Sequence, residues 1–235
     1  MYKFNLIVII LFSTLTLGVD QTYAEDVKDP FEGVNRAVHE FNQALDDYVA
    51  RPAAQVYTYL LPNPVEDGIA NVFSNLDELT NVANGLLQGK FAQAANDSGR
   101  FLINSTLGVG GLFEVAESLG LAKSEGEDFA QTLAKWGVPE GPFLMLPFLG
   151  PSTLRDAPSR YVDSLTNPVS DLDDVSDRNS LRVLSLVSTR ADLLEFDDVI
   201  AGDSYIFLRD IYLQRRDYLE TDGAIEDDFG DLDDY

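Results

Sequence analysis

The run Asp29-Pro30-Phe31-Glu32-Gly33-Val34-Asn35-Arg36-Ala37-Val38-His39-Glu40-Phe41 decides the fold class of this 235-residue chain. It opens with a carboxylate able to cap a helix and a proline at the first helical position, where a missing N–H costs nothing. A glutamate three residues after the carboxylate can reach back to the cap. Behind this start Phe31, Val34, Val38, Phe41, Leu45 and Tyr48 recur at spacings of three and four, which places them on one side of a helix. Arg51-Pro52 is expected to end it. The same start signal returns at Asn63-Pro64-Val65-Glu66, ahead of Ile69, Val72, Phe73, Leu76, Leu79, Val82 and Leu86, and Gly89 stands where it can close that second helix.

Further helices are expected over residues 90–106, 113–119, 127–136, 177–196 and 204–219. Alternation of period two is not sustained anywhere, so the expected fold is all-α, a single domain of amphipathic helices packed side by side. Two stretches interrupt the pattern. From Asn104 to Phe113, three glycines in four positions (Gly108, Gly110, Gly111) permit a tight reversal between helices. From Gly137 to Pro151 the chain combines four prolines with the apolarity of a core, which rules out regular helix or a central strand and predicts burial in protein or in lipid.

Against 16 basic residues stand 40 acidic ones, and a net charge of −24 repels nucleic acid phosphates, which excludes nucleic acid as a main partner. The chain has no cysteine, hence no disulfide, thiolate chemistry or zinc cluster of cysteines. A short positive start, Met1-Tyr2-Lys3, followed by an apolar run from Phe4 to Leu17, reads as a secretory signal of residues 1–24 cleaved after Ala24. Cleavage removes one charge of each sign, Lys3 and Asp20. Residues 25–220 form the expected helical domain, and 221–235 an acidic disordered tail with seven acidic residues between Asp222 and Tyr235.

Catalytic signatures do not emerge. His39 is the one histidine and lies off the apolar stripe, as a solvated or hydrogen-bonded surface residue would. The glycines at 108–111 lack the third glycine of a dinucleotide turn and the Lys-Ser or Lys-Thr of a phosphate loop. Asp171-Leu172-Asp173-Asp174 misses the glycine and final glutamate of a calcium loop. No metal or other cofactor is implied. Paired carboxylates are unavoidable among so many acids, which leaves a cell-wall glycan hydrolase as a weak alternative.

A series of blocks in order carries a resemblance to the MlaA (VacJ) family of intermembrane phospholipid transfer proteins. They begin with 29–36 and continue with Phe41-Asn42, Asp47-Tyr48 and Arg51-Pro52; then come 71–76 and Leu87-Gln88-Gly89. The series runs on through 100–111, 146–156 and 189–194, and ends on Gln214-Arg215-Arg216-Asp217. The resemblance covers about Asp29 to Leu219. It implies a helical ring around a central amphipathic pore in the inner leaflet of a Gram-negative outer membrane. Phospholipids misplaced in the outer leaflet would pass through it to a soluble periplasmic carrier of the MlaC type, without chemistry, beside a trimeric porin.

By the same resemblance, Asn104, Leu107, Gly108, Gly110, Gly111 and Phe113 belong to a mobile hairpin beside the pore, and Phe41 and Asn42 to a helix position tied to pore control. Phe143, Leu144, Met145, Leu146, Phe148 and Leu149 become candidates for a lipid-contacting loop, since non-helical backbone at membrane depth must be covered by protein or line a wet cavity. Members of the family are usually lipoproteins acylated on a cysteine that this sequence lacks, so retention is expected to rest on apolar faces and the porin. The negative charge predicts a preference for zwitterionic over anionic lipid. A porin-associated scaffold that transports nothing is the other alternative.

Overall fold

A computed structural model of the chain describes residues 29–199 and 202–224. The signal sequence and nearly all of the acidic tail lie outside the described residues. The elements run α1 (Glu32–Leu45), a π-helical turn (Asp46–Ala50), α2 (Arg51–Leu60), α3 (Asn63–Gln88), α4 (Phe91–Thr106), α5 (Val115–Ser118), α6 (Phe129–Lys135), β1 (Phe143–Leu146), β2 (Gly150–Thr153), α7 (Asp156–Asp163), a 3-10 turn (Pro168–Asp171), α8 (Val175–Asp192), a second 3-10 turn (Leu194–Val199) and α9 (Ser204–Glu220). The fold is all-α apart from one hairpin. No helix among the described residues is long and apolar enough to cross a membrane.

Arg51-Pro52 does not end the first helix. The wider π turn shifts the hydrogen-bonding register just ahead of Pro52, which then occupies the first turn of α2, where its missing N–H breaks no bond. Asp29 caps nothing with its side chain. Its carboxylate instead takes hydrogen bonds from Asn35 Nδ2 at 2.8 Å and from the Tyr205 hydroxyl, tying the start of α1 to α9. The second start signal does open α3, and Gly89 closes it in the left-handed region at φ 80°.

The apolar, proline-rich stretch contains an antiparallel ribbon, β1 paired with β2 from Phe143 opposite Thr153 to Leu146 opposite Gly150. A two-stranded ribbon is all edge, so Pro151 sits in it without removing a ladder bond. Alternation sends Phe143 and Met145 inward against Tyr205 and Leu213, one of two small apolar clusters among the described residues. Asn35 on α1 bonds this ribbon as a further strand would: its Nδ2 donates to the Phe143 carbonyl at 3.1 Å and its Oδ1 accepts from Met145 N–H at 2.9 Å.

The helices are turned inside out. On α1 the buried residues are Asn35 and His39, while Phe31, Val34, Phe41 and Tyr48 of the apolar stripe are exposed. On α3 the buried residues are Gly68, Asn75, Glu78, Asn84 and Gly85, and on α4 they are Ala94, Asp97, Arg100 and Asn104. Among the described residues, buried polar and charged side chains outnumber buried apolar ones. Large apolar side chains stand in the open on nearly every helix, Tyr59 at 87% and Leu60 at 67% exposure among them. A chain built to fold against water does the reverse, and exposed apolar surface on this scale marks a face that meets lipid or protein.

Candidate functional site

Inside this arrangement a circuit of packed elements lines an open cavity. α3 packs on α6, α6 on α7, the 3-10 turn that follows α7 on α8, and α8 back on α3. The space is about 750 Å³, and its wall mixes Ser74, Asp77, Glu78 and Asn81 of α3 with the loop 123–128, Arg160 and Asp163 of α7, and Arg182 and Ser185 of α8. Phe73, Val169, Leu181 and Leu186 add apolar patches, so the lining is amphipathic.

Buried ion pairs hold the wall in place. Arg100, 1% exposed, donates from Nε to Glu78 at 2.7 Å, from Nη1 to the Leu121 carbonyl at 2.8 Å and from Nη2 to Glu114, which fixes α4 to α3 and to the loop before α6. Lys90 donates to Glu127 at 2.8 Å and Gln93 to the same oxygen at 3.0 Å. Arg216 of α9 grips Asp128, whose Oδ1 also caps α6 through Gln131 N–H at 2.8 Å. Burial pushes the Asp128 carboxyl up, and the Arg216 guanidinium overrides it, holding the group below its usual range. Each charge in this set has a partner, as a charge removed from water requires.

Asp77 and Asp163 are held differently. Asp77 is exposed to the cavity; desolvation by the surrounding wall, then Glu78 beside it, pushes its carboxyl up to about 6 against the pull of Lys123. Asp163 is likewise raised to about 6, first by burial and then by Asp128, although Asn84 Nδ2 and Phe129 N–H each donate to its Oδ1 at 2.9 Å. Among the described residues neither carboxylate has an ion-pair partner within 4.0 Å.

The residues expected from sequence to form the pore and hairpin do not line this cavity. The hairpin is present, with Gly110 at φ 74° and Gly111 at φ 92°, and it is tied down from within: Asn104 Oδ1 accepts from Ala116 N–H at 2.8 Å and its carbonyl from Gly111 N–H at 2.9 Å. Leu107 and Phe113 stand exposed on its outside. Phe41 meets Phe148 edge to face, ring centroids 5.2 Å apart, so α1 touches the loop between the strands. Asn42 bonds that same loop through the Leu146 carbonyl and Phe148 N–H, each at 2.9 Å.

Of the loop residues expected to contact lipid, Phe148 and Leu149 are exposed and Leu144 and Leu146 half-buried. Phe143 and Met145 are buried in protein, a correction that follows from strand alternation, which cannot point successive side chains the same way. His39 also departs from expectation: it is 5% exposed and bonded to Ser204 Oγ at 2.9 Å, and burial lowers its pKa.

An apolar exterior, a polar interior and an amphipathic cavity define a class of helical protein whose greasy side chains face outward. The profile of the MlaA lipoprotein family matches residues 27–219. An intermembrane phospholipid transport system lipoprotein of Escherichia coli (strain K12) is 34% identical over 256 residues, 98% of this chain and 99% of its own, and its counterpart in Shigella flexneri is 34% identical over 249. An uncharacterized protein of Rickettsia felis is 33% identical over 196 residues, 82% of this chain and 78% of its own. A solved structure described as the structural basis for maintenance of bacterial outer membrane lipid asymmetry is 36% identical and superposes with a TM-score of 0.73, over 82% of this chain and 98% of the solved one. The chain belongs to the MlaA family.

Proposed function

We propose that the chain moves phospholipid at a Gram-negative outer membrane. It takes molecules that stray into the outer leaflet through the walled cavity and passes them to a soluble periplasmic carrier, so that the two leaflets keep different compositions. The observation that carries this reading is the inversion of the helices, apolar outside and polar around an amphipathic space. Lifting a phospholipid with some thirty acyl carbons into water would cost on the order of 25 kcal/mol, at about 0.8 kcal/mol per methylene. A passage with both kinds of wall removes most of that barrier. No covalent step is needed, and we read the chain as a carrier without catalysis.

In this account the leader ends at Ala24, one domain spans 25–220, and the acidic tail follows. Leu144, Leu146, Phe148 and Leu149 contribute to the lipid-facing rim, with the hairpin from Asn104 to Phe113 as a moving part beside the passage. None of the 235 residues is a cysteine able to carry an acyl anchor, so the exposed side chains of α1 and α2, with a trimeric porin, hold the ring in place. Deletion of the gene tests the role: surface-exposed phospholipid and detergent sensitivity should both rise and return to normal on complementation. Unchanged surface phospholipid would favour a porin-bound scaffold instead.

A further inference from the structure

We propose that the cavity is a head-group site selective for a phosphate ester bearing a primary ammonium, with Asp77 and Asp163 receiving the ammonium and Arg160 and Arg182 the phosphate. This assignment presupposes the carrier role proposed above and names the class of lipid carried.

The charges left over in the wall carry it. Glu78, Glu127 and Asp128 are neutralised by Arg100, Lys90 and Arg216. Asp77 forms no hydrogen bond or ion pair among the described residues, and Asp163 uses only Oδ1. Of the cations facing the space, Lys123 lies 4.0 Å from Glu114, and Arg160 and Arg182 are unspent. Arg160 donates to the Leu149 and Pro151 carbonyls, at 3.0 and 2.7 Å, and Arg182 to Ser170 Oγ at 3.2 Å; all three acceptors are neutral, and neither guanidinium has a carboxylate partner among the described residues.

Unpaired charges of both signs around one open cavity are complementary to a ligand that carries both. Desolvation raises both carboxyls although Lys123 acts on Asp77 and Arg216 on Asp163 from a distance, and a directly bound ammonium would relieve it. A primary ammonium offers three N–H donors to carboxylate oxygens. Choline brings the charge but no N–H, so it leaves the carboxylates without hydrogen bonds, and a glycerol head group adds a phosphate with no cation at all for Asp77 and Asp163.

Soluble head groups test this directly. Glycerophosphoethanolamine, glycerophosphocholine and glycerophosphoglycerol are titrated into the purified full chain by calorimetry. The ethanolamine ester is expected to bind roughly tenfold more tightly than the glycerol ester, about 1.4 kcal/mol, and Asp77→Asn with Asp163→Asn should abolish that preference. Arg182→Gln should weaken all three esters alike. Asparagine at 163 keeps the oxygen that Asn84 and Phe129 use, and an unchanged circular dichroism spectrum confirms that the double variant is folded. Equal binding of the three esters, no binding of any, or a preference that survives the double variant overturns the proposal.

Transfer between vesicles of phosphatidylethanolamine and of phosphatidylglycerol separates this from the carrier role. If neither lipid moves, the carrier role fails whatever the titration gives. Equal movement of both contradicts only the head-group assignment, including the case where the soluble ester alone is preferred.

Discussion

Asn35 and Asn42, seven residues and two turns apart on α1, hold the same β-ribbon by the same device: each side-chain amide donates to one backbone carbonyl of the ribbon and accepts from the N–H two residues further on. The helix thus supplies by side chains the pairing that a third strand would supply by backbone, and it fixes the loop around Phe148 to the face that carries Phe41.

Replacing either amide by a carboxylate removes the donor and sets a charge against a carbonyl. For Asn35→Asp, fully buried and next to Asp29, the expected loss is about 2–4 kcal/mol; for the half-buried Asn42→Asp it is about 1–2 kcal/mol. Urea unfolding in mild detergent measures both, and equal small losses would contradict the pairing.

Arg100 is the cation at the centre of the α3–α4 pair. Arg100→Met leaves Glu78 charged, buried and unmatched, with an expected cost of about 3–5 kcal/mol, whereas the double change with Glu78→Met should recover most of it. A double-mutant cycle by chemical denaturation gives the coupling directly.

Gly108 is required for space. A Cβ there would stand 2.2 Å from the Phe113 carbonyl oxygen and 2.4 Å from that of Asn104. Gly108→Ala is therefore expected to cost well over the roughly 1 kcal/mol that the same change costs at an unobstructed left-handed glycine such as Gly89. Their difference in unfolding midpoint checks it.

Helix positions were legible because capping, proline and glycine signals act locally: Asn63-Pro64 and Gly89 bound α3 as expected. The sidedness of the helices was not. An apolar stripe reports that a helix has two faces, and only the surroundings decide which one turns inward, so His39 read as a surface residue yet is buried, as is Asn35. The π turn before Pro52 has no local signal either. Nor was the cavity visible, since Asp77, Asp163, Arg160 and Arg182 come from three helices and meet only through packing, with no motif spacing among them. The resemblance supplied the idea of a ring, and it pointed to the hairpin and α1 rather than to this lining.

Glu140 links stability to pH. Burial, then Glu220, raises its carboxyl from 4.5 to about 7, and its Oε1 is buried without a hydrogen-bond partner. Below the unfolded value both states are protonated and nothing is lost; as pH rises from 4.5 to about 7 only the unfolded state ionises, so stability falls, and the loss is complete once the folded group ionises as well. Glu140→Gln should therefore stabilise the chain by about 1 kcal/mol above neutrality, discounted for partial exposure, with the gain vanishing in acid. Thermal unfolding at acidic and alkaline pH reads the difference.

The chain's lack of cysteine makes one measurement decisive for the passage itself. Ser185→Cys places a single thiol in the cavity wall and Leu60→Cys one on the apolar exterior, and each is loaded with a bulky maleimide before vesicle-to-carrier lipid transfer is timed. Transfer should stop when Ser185→Cys is blocked and continue when Leu60→Cys is. Undiminished transfer through a filled cavity would contradict the account.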